Sequence, residues 1–507
     1  NLPSTRFSLD ERTWEPGSIK VSHFGQDLLY RSVRDGGRHL PKEHLEAYRQ
    51  QGDPKVDALL ELLEQEGRPL KATDDIFSLE EKRQSTTPDS AADKALADFL
   101  EDYSEIPSWV DLEQIRRGQE VYLVYTGAIS LSLFYRSLVP GFSIPKIAAV
   151  LKSTGYLAPP ASRESVQNRL MDTGALIAAC LAEDLAGIMP GGVGWKAAIQ
   201  VRFLHAKVRR ALLQRKGKRS WDTDTLGIPI NQEDMAATLL AFSVNPLLGC
   251  EMVIGRPIPA EERRAYLAFW RYIGWLLGVE CFNDDHLLLE RKDLSSSTLK
   301  RKSGRMDNPL PLDPCGPGWY ADAPESLEHS YAIFQSIILH LMQPDKTSVE
   351  IAHHLLKLGR PKKENVIEAD EEARKQAISN ENWYYFRSLQ CRRFVGHPLA
   401  DALELPLHPV WYKRWRLWMV STLYLWILRV YTWAALPYSP FRKRLIRFHR
   451  RKMVEFLTNW KKGPEDKEEN DTDRSEDDDK KKEKEVKDDT IRNESGCPFA
   501  MVAPPKH

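Results

Sequence analysis

The chain has 507 residues, enough for two or three modules or for one large domain with extensions. Its 72 Lys and Arg balance its 72 Asp and Glu, and this zero formal charge argues against a globally basic nucleic-acid-binding protein. The six cysteines lie far apart without a C-x-x-C pair, which argues against a disulfide-stapled secreted scaffold and against a zinc ribbon.

The first segment, residues 1–104, is polar and of mixed charge. Its stretch 71–94 is rich in Asp, Ser, Thr and Glu and has little to bury, which predicts a loop or linker. We therefore expect a polar N-terminal extension that carries no catalytic residue.

The next segment, residues 105–395, is predicted to be an all-α domain. No alternating β-branched run of strand type is recognised anywhere in the chain. Pro190 and three glycines within 189–194 separate the second predicted helix from the third. The predicted helical stretches are 119–139, 163–188, 195–213, 234–253, 260–277 and 326–358.

The third segment, residues 396–462, is predicted to be helical and membrane-associated. Its part 407–462 holds six of the 14 tryptophans and 13 Lys or Arg against one acidic residue. The uncharged stretches 417–428 and 430–441 flank Arg429, and each is too short to span a bilayer alone. This pattern is typical of a helix pair in the interface of an anionic membrane. The alternatives are a helix packed on the core with a solvated basic face, and, less compatible with the uncharged stretches, a nucleic-acid-binding segment.

The last segment, residues 463–507, is predicted to be a disordered charged tail. Residues 463–495 hold 15 acidic and 8 basic residues and almost nothing apolar. The triplet Asp284, Asp285, His286 is a weak metal motif, because adjacent side chains on a helix or strand point apart.

The third predicted helix carries the pattern R-x-x-H-x-x-x-R. At helical spacing Arg202, His205 and Arg209 fall on one stripe that is otherwise largely apolar. Such a stripe suits a haem site, in which the imidazole binds iron and the guanidinium groups meet the propionates. A core histidine with satisfied hydrogen bonds is the alternative, and spacing alone favours it because the pattern is short.

The second predicted helix offers a partner stripe in which Arg169 and Thr173 precede an apolar face. These two polar side chains could contact a bound oxygen species or a substrate. Because the Pro- and Gly-rich break lets the chain fold back, Thr173 and His205 can lie within a few turns of each other.

Several blocks in a fixed order resemble the domain shared by the fungal endoplasmic-reticulum-bound oxygenases of MpaB type and the bacterial latex-clearing rubber oxygenases. The resemblance covers roughly residues 105–390, and the ordered series is more specific than any one block. The blocks are 106–111, 118–119, 137–138, 154–157, 169–173, 202–209, 229–234 and 266–278.

The resemblance implies a globin-like helical fold that binds haem b and uses dioxygen as co-substrate. Rubber oxygenases cleave C=C bonds of a polyisoprenoid, and MpaB-type enzymes oxidatively cleave a prenyl side chain at a membrane. The resemblance implies that His205 is the axial iron ligand, with Arg202 and Arg209 beside it. It implies that Arg169 and Thr173 form the Arg-x-x-x-Thr pair on the distal side. A hydrophobic terpenoid or prenyl substrate at the endoplasmic reticulum is therefore expected.

The sequence also departs from the rubber oxygenases. Their distal lysine is replaced by Asp172, and residues 151–155 hold no carboxylate where those enzymes have an upstream glutamate. Two alternatives therefore stay open. One is a haem enzyme that hydroxylates or acts as a peroxidase without cleavage, and the other is a non-enzymatic helical protein that binds lipid or a partner.

Overall fold

The computed structural model describes residues 16–35, 37–71, 73–84, 90–107, 109–155, 157, 161–217, 220–279, 324–358, 369–436 and 439–461. Within these ranges the regular secondary structure is helical apart from one short β-hairpin, which confirms the all-α fold class. The globin-like arrangement stays a prediction. The charged tail and the triplet 284–286 lie outside the described residues.

The helices, numbered in chain order, range from single turns to long rods. They are α1 (Lys42–Tyr48), α2 (Pro54–Gln65), α3 (Ile76–Gln84), α4 (Ala91–Ser104), α5 (Leu112–Val124), α6 (Thr126–Ser132), α7 (Pro145–Thr154), α8 (Arg163–Ala182), α9 (Leu185–Ile188), α10 (Val193–Leu213), α11 (Thr223–Leu226), α12 (Gln232–Phe242), α13 (Val244–Ile254), α14 (Ala260–Leu276), α15 (Pro324–Leu341), α16 (Lys346–Leu356), α17 (Ala369–Val395), α18 (His397–Ala402), α19 (Trp411–Tyr431) and α20 (Arg442–Lys461). A π-helical segment, Leu133–Leu138, and a helical turn, Val139–Gly141, continue α6.

The N-terminal segment contains two short strands, although its sequence has no alternating β-branched run. Strands β1 (Ile19–His23) and β2 (Gln26–Tyr30) pair antiparallel, with His23 opposite Gln26. The two residues between the strands, Phe24 and Gly25, both have positive φ, as tight hairpin turns require. The strands show no recognisable strand pattern in the sequence, because each has only five residues and mixes charged with apolar side chains.

The linker predicted at 71–94 is also partly wrong, because it contains α3 and the start of α4. Four of the predicted helices are interrupted. The stretch 119–139 is interrupted at Tyr125, between α5 and α6, and the stretch 163–188 is interrupted between α8 and α9. The stretch 234–253 divides at Ser243, whose hydroxyl donates to the carbonyl of Leu239. The stretch 326–358 divides before Asp345, whose carboxylate accepts from the backbone N–H of Ser348 and starts α16.

The chain forms two compact units. The first unit comprises residues 1–54, 107–169 and 209–446. Its core centres on α14 packed along α5, where Tyr122 and Tyr266 stack at 6.3 Å between ring centroids. Gly118 permits this close approach, because a Cβ there would clash with the carbonyl of Ala265. Helix α13 packs on α6, and α19 packs on α17 and α13.

The second unit comprises residues 55–106, 170–208 and 447–507. Its core joins α4 to the part of α10 that ends at Val208. Trp195 Nε1 donates to the carbonyl of Tyr103 at 3.0 Å, and Phe99 meets Phe203 edge to face at 5.2 Å. These contacts make residues 55–106 a structural part of this unit.

Among the described residues, the stretch Gln232–Ile254 is long and apolar enough to cross a membrane by length and composition, and 78% of its most apolar 18-residue window is buried inside the protein. It coincides with α12 and α13, which Ser243 separates.

Candidate functional site

Helix α10 has one incompletely covered stripe, and His205 lies on it. From residue 197 to residue 209 only four side chains of this helix are half-buried, while the others are buried. The four are Val201, Leu204, His205 and Val208, which recur at helical spacing on one face. The structure therefore places the candidate iron ligand among aliphatic side chains on the single face of this segment that is open to a ligand.

Arg202 lies one turn before His205, on the buried flank of the same helix. Its side chain is buried at 2% exposure, and its guanidinium carbon lies 4.5 Å from the centroid of Tyr103 and 5.2 Å from that of Phe99. These distances are those of cation–π contacts, which hold the charged guanidinium against two aromatic rings.

Arg209 is also buried, and it binds the protein backbone. Its Nη2 atom donates to the carbonyl of Ile230 at 3.1 Å. Ile230 has a φ of +53°, a left-handed conformation that is strained for a β-branched residue. Arg209 therefore helps to hold the strained turn that precedes α12.

Helix α8 places the two candidate distal residues on one face with different exposure. Arg169 is half-buried and Thr173 is exposed, while Leu176 and Ile177 on the same face are half-buried. The neighbouring Asp172 is buried at 8% exposure, away from the face that carries Thr173. The position that holds lysine in the rubber oxygenases thus contributes a buried carboxyl side chain here.

The turn between α8 and α10 returns the chain close to itself. A Cβ added to Gly194 would lie 2.8 Å from the Cα of Cys180 and 2.9 Å from the carbonyl oxygen of Ala179. With a rise of about 1.5 Å per residue, Thr173 lies about 10 Å and His205 about 16 Å along their helices from this contact. The predicted return of the chain is confirmed at the Gly194 end.

The first unit contains a buried ionic cluster that is not predicted from the sequence. Arg49 Nη2 lies 2.5 Å from Glu233 Oε2, and Arg49 Nη1 lies 3.1 Å from Asp234 Oδ1. Burial raises the pKa of Glu233 to about 8 and also raises the pKa of Asp234, although Arg49 opposes both shifts. Asn231 caps α12 through the N–H of Asp234. The block 229–234 contained a signal for this cluster, but Arg49 lies in the segment expected to be an extension.

A buried lysine follows His205 on α10. Lys207 Nζ donates to the carbonyl of Asp74 at 2.8 Å, and Gln200 Nε2 donates to the same carbonyl at 3.0 Å. Burial lowers the pKa of Lys207 to about 8. The pair ties the loop before α3 to α10 and so fixes the helix that carries His205.

Among the described residues, no group of three or more His, Cys, Asp or Glu side chains is placed to hold a metal ion. A haem iron needs a single protein ligand, since the porphyrin supplies four nitrogens. Helix α10 offers one half-buried imidazole between aliphatic side chains, with a buried guanidinium one turn away. These side chains fit a haem.

A family model described as the catalytic domain of the ER-bound oxygenases mpaB/B′ and of rubber oxygenase matches residues 145–435, which is more than half of the chain. The matched range includes all of α8 and α10. Comparisons with curated proteins and with solved structures find no match.

Proposed function

Because the chain belongs to the family of the MpaB-type ER-bound oxygenases and the rubber oxygenases, we propose that it is a haem-dependent oxygenase of hydrophobic substrates. The family is one of oxygenases, and this makes the chain an oxidoreductase by membership. One observation supports the haem in particular: the only open stripe in the middle of α10 carries His205 between Val201, Leu204 and Val208.

In this proposal His205 holds the iron of haem b through a ring nitrogen. Arg202 would be a partner for a propionate, because its permanently charged guanidinium lies one helical turn from His205. Arg209, the second predicted propionate partner, holds the Ile230 carbonyl and would contribute mainly by fixing the end of α10. The haem, when bound, supplies the activation of dioxygen.

The distal roles fall to Arg169 and Thr173. Thr173 is an exposed residue, and its hydroxyl would donate to or accept from a polar group of dioxygen or of the substrate. Arg169, one turn earlier on the same face, would supply a permanent positive charge to orient a polar or anionic group of the substrate. The aliphatic side chains of both helices exclude water and orient an apolar chain.

The proposed substrate is an unsaturated terpenoid or prenyl chain, and the proposed reaction is oxidation that cleaves a C=C bond. The family is named for ER-bound members, and we place this chain at the endoplasmic reticulum membrane, where such a substrate dissolves. The apolar stripe beside His205 supports a substrate of this polarity.

A second candidate reaction keeps the haem but stops at hydroxylation or peroxidase-type oxidation. The buried Asp172 favours it, since a carboxyl group replaces the distal lysine of the rubber oxygenases. Product mass separates the two, because cleavage yields two shorter carbonyl compounds and hydroxylation adds one oxygen to an intact chain.

The visible absorption spectrum of the purified full chain tests the proposal, with a pyridine haemochrome assay for haem type and stoichiometry. We expect near-stoichiometric haem b in the wild type and in the control His397→Ala, which removes an exposed histidine. The variant His205→Ala should lose the haem and keep its helical circular dichroism. Full haem retention in His205→Ala would disprove the ligand assignment. A wild type without haem after reconstitution would disprove the haem enzyme and favour the lipid-binding alternative.

A further inference from the structure

Helix α19 packs on the first unit through a narrow and partly polar stripe. Its buried residues are Leu417, Ser421 and Leu425, one per turn. Ser421 Oγ donates to Gln390 Oε1 at 2.9 Å, and Arg393 Nη1 donates to both Ser421 and Thr422. Hydrogen bonds to two side chains of α17 therefore fix which face of α19 points inward.

Arg429, the charge that interrupts the apolar sequence of α19, is also turned inward. Its Nε atom donates to the carbonyl of Val253 at 3.1 Å and its Nη2 atom to that of Met252 at 3.3 Å. These bonds satisfy the carbonyls at the end of α13. The guanidinium is thus directed toward α13, and Arg429 is half-buried.

The outward face of α19 is strongly apolar, whereas the outward face of a helix on a water-exposed surface is normally polar. Trp411 is 76% exposed and Trp426 is 59% exposed. Most large apolar residues that are exposed in the described part of the first unit belong to this face or to the turn that follows it. They are Trp411, Tyr412, Trp415, Trp418, Met419, Val420, Leu423, Tyr424, Trp426, Ile427, Val430, Tyr431, Trp433 and Phe441.

We infer that this outward face of α19 is a docking surface that inserts in the plane of one leaflet of an anionic membrane. Tryptophan and tyrosine prefer the membrane interface, because their rings are apolar and their N–H or O–H groups stay hydrated. The inference rests on the proposed function only for the presence of a membrane and does not require the haem.

Charge favours a lipid surface over a second copy of the chain. The exposed basic residues Arg414 and Arg416 lie at the start of α19, and Lys443 and Arg444 follow Phe441. Two copies that met through this face would bring these like charges together, whereas anionic headgroups attract them.

The distribution of apolar surface favours docking to one leaflet over crossing the bilayer. A protein that crosses a bilayer exposes apolar side chains on all the helices that contact lipid. In the described part of the first unit outside residues 410–441, the large exposed apolar residues are only Ile19, Leu112 and Leu213. A single exposed face beside a polar remainder suits a helix that lies in the interface.

The test is co-sedimentation of the full chain with vesicles, either of phosphatidylcholine alone or of phosphatidylcholine mixed with phosphatidylserine. We expect binding to the mixed vesicles, and at least about tenfold weaker binding for the double variant Leu423→Glu with Trp426→Glu. Ile19→Glu is the matched control, because Ile19 is also apolar and 61% exposed but lies on β1. Lys443→Glu with Arg444→Glu should weaken binding to the mixed vesicles and leave binding to phosphatidylcholine unchanged.

Quenching of tryptophan fluorescence by brominated lipids reports how deeply the tryptophans of α19 lie in the membrane. Bromine near the headgroup should quench strongly and bromine near the chain end weakly, as an in-plane helix requires. Equal quenching at both depths would overturn the in-plane orientation, and vesicle binding that the α19 double variant does not weaken would overturn the docking surface. A dimer that the same variant dissociates, without loss of vesicle binding, would assign the face to a second copy. Haem content measured on the same samples keeps a failure of the haem site distinct from a failure of docking.

Discussion

Gly194 lies so close to Cys180 that a Cβ on the glycine would approach the Cα of the cysteine to 2.8 Å. The same Cβ would lie 2.9 Å from the carbonyl oxygens of Ala179 and Gly187. All of these neighbours are backbone atoms, which cannot rotate away as a side chain can. The absence of a side chain at Gly194 therefore sets the distance between the end of α8 and the start of α10, the two helices that carry the candidate haem residues.

We predict that Gly194→Ala lowers the free energy of unfolding by about 2–3 kcal/mol, since the methyl group must push backbone apart. Gly141→Ala is the control, because nothing lies within 4 Å of a Cβ at that position. It should change stability by less than about 1 kcal/mol. Urea denaturation followed by circular dichroism measures both, and equal effects of the two variants would contradict the close packing assigned to Gly194.

The two arginines that flank His205 should differ in their effects on haem retention. Arg202→Lys should reduce the haem content, because lysine lacks the planar guanidinium that can bind a carboxylate through two parallel hydrogen bonds. Arg209→Lys should keep the haem and lower stability, because the Ile230 carbonyl loses its guanidinium donor. The ratio of Soret to protein absorbance and a thermal melt separate these effects, and the reverse pattern would exchange the two roles.

The buried carboxyl of Glu233 should make stability fall as the pH rises from about 4.5 to about 8. Its pKa is raised in the folded state, so the folded protein retains a proton that the unfolded chain releases over this range. Glu233→Gln keeps a hydrogen-bonding side chain without the titration, and its stability should therefore depend less steeply on pH. Unfolding curves at several pH values measure the slope, and an unchanged slope would show that another group titrates.

Lys207 should make stability rise with pH in the alkaline range, the opposite of the effect of Glu233. Burial lowers its pKa from 10.5 to about 8, so the folded protein releases a proton before the unfolded chain does and stability rises with pH across this range. Lys207→Met should remove that rise. At neutral pH it should cost less than about 1 kcal/mol, since Gln200 still donates to the Asp74 carbonyl. Lys196→Met, on the same helix, is the control that should retain the rise.

Much of the fold could be predicted from local sequence patterns. Helices α8 and α10 have clear apolar periodicity and a Pro- and Gly-rich break between them, and these signals depend only on neighbours in the chain. The break of the stretch 234–253 at Ser243 was missed, because its apolar composition continues on both sides.

The missed features of the candidate site depend on contacts between distant parts of the chain. Arg49 and Glu233 are 184 residues apart in the sequence, so no periodicity connects them. The contact of Arg209 with Ile230 is likewise invisible to helical spacing, which assigned both arginines to one stripe with His205. The face of α19 that points outward could not be predicted either, since aromatic residues occupy most positions around the helix and only Ser421 and Arg429 mark the inner side.

The outward face of α19 also affects how the protein behaves once it is taken out of the cell. In aqueous buffer that face is covered by water alone, and the hydrophobic effect favours any association that hides it. Detergent micelles or lipid nanodiscs remove that driving force by covering the aromatic side chains. Turnover numbers obtained without an amphiphile would therefore vary with protein concentration and storage time, for reasons unrelated to the candidate haem site.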